Sequence, residues 1–203
     1  MSTFLDVFFF AALGLTSLVG LTFIIERGLA LRWKKVVPPE VETAVENCNS
    51  PADVPVLRTV CEQHPSALSR LVLAGTDHLH WPRAETVDVL QTRARREIAS
   101  LERGLVVLEI VVGIAPLLGL VGTVYGLITL FGGLSAGGMG DYSVLARGVG
   151  LALNTTLMGL LIAIPALVGW SYYSKKVETL AVEMETLCDE FLQRNYRHEE
   201  KKK

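Results

Sequence analysis

The sequence predicts an all-α membrane protein with three transmembrane helices, the second and third continued outside the bilayer into a helical bundle. Two observations carry this. Residues 7–25, 110–140 and 148–174 contain no charged residue, although 20% of the 203-residue chain is charged. A bilayer core takes about 20 apolar residues as helix, so each stretch supplies a span. No glycine or proline falls between Arg83 and Arg103 or between Tyr172 and Tyr196, which predicts long helices next to the second and third spans. Half of the residues are hydrophobic and the net charge is −2. That composition excludes a disordered chain, and it offers no basic excess for nucleic acid.

Residues 1–25 form the first transmembrane helix. Its charge-free stretch is bulky, with Phe8, Phe9, Phe10, Leu13, Leu15, Leu18 and Leu21, a surface suited to lipid. No basic region precedes it and no small-residue cleavage site comes after it, so a retained span is expected rather than a cleaved signal peptide.

Residues 26–104 come next as a cytoplasmic helical segment. Of the nineteen Lys and Arg, eleven lie here, seven lie from residue 174 onward, and Arg147 alone falls between the second and third spans. Positive charge marks the cytoplasmic side. The N-terminus and the hairpin are therefore expected in the periplasm, and the middle segment and tail in the cytoplasm. Eleven acids balance the eleven bases of the segment, which suits solvated helix faces laced with ion pairs. Pro38-Pro39 ends the stretch next to the first span. Ser50-Pro51 marks a helix start, with a capping residue before a proline at the first helical position. Pro65-Ser66 begins another short helix, and Pro82 opens a third that should run unbroken from Arg83 to residue 131.

Residues 105–131 form the second transmembrane helix, 132–147 a glycine-rich periplasmic hairpin, 148–173 the third transmembrane helix, and 174–203 a cytoplasmic helical tail. In the tail, Val177, Leu180, Met184, Leu187 and Phe191 recur at helical steps and call for a partner helix. The closing Glu199-Glu200-Lys201-Lys202-Lys203 is expected to be disordered.

The second and third spans carry small residues on one face: Ala115, Gly119, Gly122, Thr123 and Gly126 on one, Gly148, Ala152, Thr155, Thr156, Gly159 and Ala163 on the other. Such faces let backbones approach closely. Packing accounts for the glycines. The threonines either bond back to their own helices or line a polar path. Pro116 and Pro165, inside the spans, free the carbonyls of Val112 and Leu161 and are expected to kink the helices. Glu109 lies near one end of the second span, while Asp6, Asp141 and Arg147 lie toward the outer surface. The span centres therefore carry no group that could bind a proton, and a carboxylate for proton movement would have to come from another polypeptide.

Other chemistries fail on spacing. Cys61, His64, His78 and His80 match no usual zinc pattern. The odd count of cysteines (Cys48, Cys61, Cys188) reads as free thiols in a reducing compartment. Gly132-Gly133 and Gly137-Gly138 lack the Lys-Ser/Thr of a phosphate loop. No nucleophile–base pair suggests an enzyme, and no cofactor is called for beyond a transported ion.

Several segments resemble one known family. Ile114-Ala-Pro-Leu-Leu-Gly-Leu-Val-Gly-Thr-Val-Tyr-Gly-Leu-Ile128 is similar to the second-span signature of the ExbB/TolQ/MotA proton-channel family, with Leu101-Glu-Arg-Gly-Leu105 as its lead-in. Gly148-Val-Gly-Leu-Ala-Leu-Asn-Thr-Thr-Leu-Met-Gly-Leu-Leu-Ile-Ala-Ile-Pro165 resembles the third-span signature, and Ile25-Glu-Arg27 is typical after the first. The resemblance implies a homopentamer in the bacterial inner membrane. The pentamer surrounds a dimer of a single-span ExbD/TolR/MotB-type protein whose membrane aspartate carries H+ or Na+ past pore threonines. Thr123 and Thr156 match those threonines. Ion flow would then drive mechanical work on the cell envelope.

Three spans favour the ExbB/TolQ branch. Leu151 stands where that branch usually has glutamate, and Thr155 where proton-driven members often have alanine. The branch points to protons as the fuel, and the Thr155-Thr156 pair, similar to sodium-type stators, to sodium. A non-conducting oligomeric scaffold that anchors a partner is the alternative reading of the same small-residue faces.

Overall fold

In the computed structural model, which describes residues 2–137 and 142–200, the chain is all helix. Among the described residues there are eight helices: α1 (Ser2–Ala30), α2 (Trp33–Val36), α3 (Pro39–Asn47), α4 (Val54–Gln63), α5 (Ala67–Asp77), α6 (Arg83–Glu102), α7 (Leu105–Gly137) and α8 (Tyr142–Glu200). Three contain stretches long and apolar enough to cross a membrane, beginning at Val7, Leu105 and Gly148. The chain divides into two compact units, Met1–Arg27 with Gly104–Tyr172, and Gly28–Arg103 with Tyr173–Lys203.

The first unit packs α1 and the first half of α8 with α7. Its buried positions are small or lie at helix crossings: Ala115, Ala152, Ala163 and Ala166 on α7 and α8, with Leu13, Leu108 and Val111. Bulky side chains turn outward, among them Phe8, Leu15 and Leu18 on α1, Leu117 and Leu120 on α7, and Leu153 and Ile164 on α8. A water-soluble bundle would bury these, whereas a bilayer solvates them. α1 touches both other helices through glycines. A Cβ on Gly20 would lie 3.2 Å from Val111 Cγ1, and one on Gly169 would lie 3.1 Å from Ile24 Cγ1. The Phe9 and Tyr125 rings are 5.5 Å apart. Both α7 and α8 continue through their prolines.

The second unit has a conventional apolar core. Val37, Val41 and Val45, then Leu57, Leu68 and Leu71, then Leu90, meet Leu180, Met184 and Phe191 of α8. All five stripe residues of the tail are buried, Leu180 and Phe191 completely. The end of α8 is pinned by Tyr196, whose hydroxyl donates to Trp81 O at 2.8 Å and meets Thr86 Oγ1 at 2.8 Å. The balanced surface charges form ion pairs, including Arg58–Asp77 at 2.8 Å and Arg70–Glu97 at 2.5 Å.

Some local expectations hold and others are corrected. Ser66 caps α5, its hydroxyl accepting from Ser69 N at 3.0 Å. α6 opens after Pro82. The helix from Arg83 is not unbroken: it stops at Glu102 and α7 starts at Leu105. The break falls at Gly104, where a Cβ would strike the Arg27 side chain. The Ser50-Pro51 helix start is corrected too. Asp53 Oδ2 accepts from Ser50 N at 3.0 Å and Ser50 Oγ at 2.9 Å, closing a turn first, and α4 begins at Val54. Pro38-Pro39 ends the stretch after the first span, as expected: α2 stops at Val36, and Pro39 then opens α3. Helical backbone extends past both ends of the expected hairpin, to Gly137 and from Tyr142. The glycine pair at 137–138 and the terminal lysines fall partly or wholly outside the described residues.

Candidate functional site

The α7–α8 contact is the tightest place in the first unit, and its tightness is written in glycines. A Cβ on Gly159 would sit 2.6 Å from Ala115 O and 3.2 Å from the Gly119 Cα. On Gly119 it would meet Thr155 O at 2.9 Å, and on Gly126 Ala152 N at 3.0 Å. These are backbone atoms that cannot swing aside, so only glycine permits this separation. On Gly122 a Cβ would come within 2.6 Å of the Thr155 Cβ.

Two hydroxyls meet in this contact. Thr123 Oγ1 on α7 is hydrogen-bonded to Thr156 Oγ1 on α8, and either can be the donor. Carbonyls surround the pair. Thr123 Oγ1 lies 3.1 Å from Gly119 O and 3.2 Å from Ala152 O, and Thr156 Oγ1 lies 3.4 Å from the same Gly119 O. Each hydroxyl has one proton and two acceptor sites. The pair can therefore reverse its donor–acceptor order, and each oxygen can turn a lone pair to a water or a cation. Both residues are half-buried, so the pair borders the surface of the helix pair.

Thr155 differs. Its side chain is 1% exposed, and its hydroxyl donates back to its own helix, 3.1 Å from Leu151 O and 3.0 Å from Ala152 O. The structure thus brings Thr123 and Thr156 together and leaves Thr155 as packing against Gly122. Leu151 is half-buried one turn before Thr155. Pro116 and Pro165 lie on either side of the contact, within α7 and α8. Glu109 is exposed near the start of α7, and Glu26 and Arg27, the charges at the far end of the first span, pair at 2.5 Å. The side chains of Asp6, Asp141 and Arg147 lie outside the described residues. Among the described residues no cluster of His, Cys, Asp or Glu could hold a metal ion.

One polar residue escaped the sequence reading. Asn154, in the first third of the third span, is exposed and makes no hydrogen bond with any described residue. The signal was an amide inside an uncharged apolar run, where hydrocarbon cannot satisfy it.

The sequence profile of the MotA/TolQ/ExbB proton channel family matches residues 63–186. The chain belongs to that family. The match takes in α5, α6, α7 and most of α8, and with them the threonine pair. Among relatives, a putative biopolymer transport protein ExbB-like 1 of Synechocystis is 37% identical over 163 residues, 75% of this chain and 61% of that protein. The Tol-Pal system protein TolQ of Haemophilus influenzae is 33% identical over 106 residues, 52% of this chain and 46% of its own length. The biopolymer transport protein exbB1 of Vibrio cholerae reaches 52% over 67 residues, 32% of this chain and 29% of that one. The chain spans less than two thirds of the length of these relatives. Together with the three apolar helices, the MotA/TolQ/ExbB membership makes this a membrane protein of a transport and energy-transducing family rather than of an enzyme family.

Proposed function

We propose that the chain is the ring-forming subunit of an ion-driven motor in the bacterial inner membrane. Five copies enclose a dimer of an ExbD/TolR/MotB-type single-span protein, and proton flow past Thr123 and Thr156 drives mechanical work on the cell envelope. The observation that carries this reading is the hydrogen-bonded Thr123–Thr156 pair, set among backbone carbonyls in a contact without charge. Such a pair can pass or solvate a cation but cannot hold a proton. The titrating group comes from the partner, whose membrane carboxylate would be the costly charge that intramembrane function retains.

Assembly has its own support. The exposed Asn154 amide needs a polar neighbour that no described residue of this chain supplies. The outward apolar faces of α7 and α8 offer area for neighbouring subunits or lipid. The distribution of Lys and Arg supports a periplasmic N-terminus and 132–147 segment and a cytoplasmic C-terminus.

Native mass spectrometry of the detergent-purified chain, alone and with its single-span partner, tests the assembly. A five-to-two complex is expected. A stable monomer or dimer under both conditions contradicts it.

A further inference from the structure

Just after the first span the chain builds a basic hollow in the second unit. Its rim carries Lys34, Lys35 and His64, with Gln63 and a single acid, Glu40, and its volume is about 590 Å³. Local sequence explains how it is built. α2 buries Val36, and with it Val37, so that Lys34 and Lys35 turn outward. Pro38 and Pro39 stiffen one wall. The other is the end of α4, where His64 O accepts from Ser69 Oγ at 2.5 Å.

Two further observations bear on what would sit there. Several cations of this unit already have acids: Arg58 has Asp77, Arg70 has Glu97, and Arg194 has Glu190. Lys34 and Lys35 are exposed and make no ion pair with any described residue, so their charge is available to an anion from outside the chain. The covalent tether fixes the depth. The first span ends at Ala30, and the four residues to Lys34 reach at most about 14 Å. The hollow's lysines are thus held near the headgroup layer however the two units are arranged. Trp33, 39% exposed beside them, is a residue type that favours that layer.

We propose that this hollow seats the headgroup phosphate of an anionic phospholipid. The lysines supply the charge and His64 and Gln63 the hydrogen bonds. The site is separate from the ion path and stands whether or not the chain conducts.

Lipid retention on the purified full chain provides the test, read as dissociation constants by native mass spectrometry with phosphatidylglycerol and with phosphatidylcholine. Phosphatidylglycerol should bind in preference to phosphatidylcholine. Each lysine near an anionic headgroup accounts for about fivefold in binding, so Lys34→Gln/Lys35→Gln should weaken phosphatidylglycerol by roughly 25-fold. Arg58→Gln, whose charge is already paired, should not. Lys34→Arg/Lys35→Arg keeps the charge and should keep the lipid. In the unaltered chain, raising salt should release phosphatidylglycerol, while millimolar inorganic phosphate should not. Equal retention of the two lipids, salt-insensitive binding, or full binding by the Gln variant would overturn the proposal. Displacement by inorganic phosphate would assign the hollow to a small soluble anion instead.

Discussion

The Thr123 hydroxyl on α7 is hydrogen-bonded to the Thr156 hydroxyl on α8, and the two share Gly119 O as an acceptor. The residues are 33 apart in sequence and meet only because glycines let the helix backbones close around them. The same contact therefore serves packing and polarity. Its glycines set the distance, and its threonines place an exchangeable pair of O–H groups between the two helices.

Glycine substitutions should separate the tight positions from the open ones. A methyl on Gly159 would meet Ala115 O at 2.6 Å, whereas one on Gly150 meets nothing within 4 Å. Gly159→Ala should lower unfolding stability in detergent by about 1–3 kcal/mol, and Gly150→Ala should leave it nearly unchanged. Gly122→Leu, which drives a large side chain into Thr155, should abolish assembly while membrane insertion persists. Thermal unfolding and blue-native electrophoresis of the three variants read the difference.

Thr155→Ala distinguishes the fuels. The Thr155 hydroxyl is buried and turned back onto Leu151 O and Ala152 O. With protons as the fuel, its loss should leave flux largely intact and cost about 1 kcal/mol of stability. With sodium, flux should require sodium and fail in this variant. Vesicle flux measured with and without sodium decides between them.

Cys61 makes the second unit sensitive to alkali. Burial, with smaller contributions from Cys48 and Glu62, pushes its thiol up from 9.0 to about 11. Below pH 9 the thiol is protonated in folded and unfolded chains alike, and its contribution to stability is fully present. As pH rises from about 9 toward 11 the unfolded chain ionises first, so unfolding is favoured and that stability is lost. Denaturation midpoints across this range should fall more steeply for the unaltered chain than for Cys61→Ala. Iodoacetamide at pH 8 should spare Cys61 until the chain is unfolded.

Tyr196→Phe probes how the end of α8 is held. The change keeps the ring but removes the hydroxyl that reaches Trp81 O and Thr86. A loss of about 1 kcal/mol is expected, with faster backbone hydrogen exchange near residues 78–86 as the local readout.

The features legible in the sequence are those set by periodicity and by missing charge. The three apolar helices, the buried Val177–Phe191 stripe and the start of α5 at Ser66 each arise from a repeat or a cap within one segment. The small-residue faces were also visible, because glycine spacing is a local pattern. The break at Gly104 was not read as one, although the Arg27 side chain, distant in sequence, packs where its Cβ would be. The delayed start of α4 turned on Asp53 bonding back to Ser50, a competition between turn and helix that propensity does not settle. Within the site, sequence grouped Thr155 with Thr123 and Thr156. Only the rotation of α8 against α7 separates the hydroxyl that bonds its own helix from the two that meet across the contact.

Thr156→Val tests the central claim most directly. Valine keeps the shape, removes the hydroxyl, and leaves Thr123 two carbonyl acceptors, so the structural loss should be near ~0.6 kcal/mol, typical of one interhelical hydrogen bond in a membrane. Proton flux is then measured in vesicles holding the chain with its single-span partner. A variant that assembles normally but no longer conducts is the predicted result. Flux equal to that of the unaltered chain would remove the threonine pair from the ion path, and absence of flux from the unaltered complex would make the chain a scaffold.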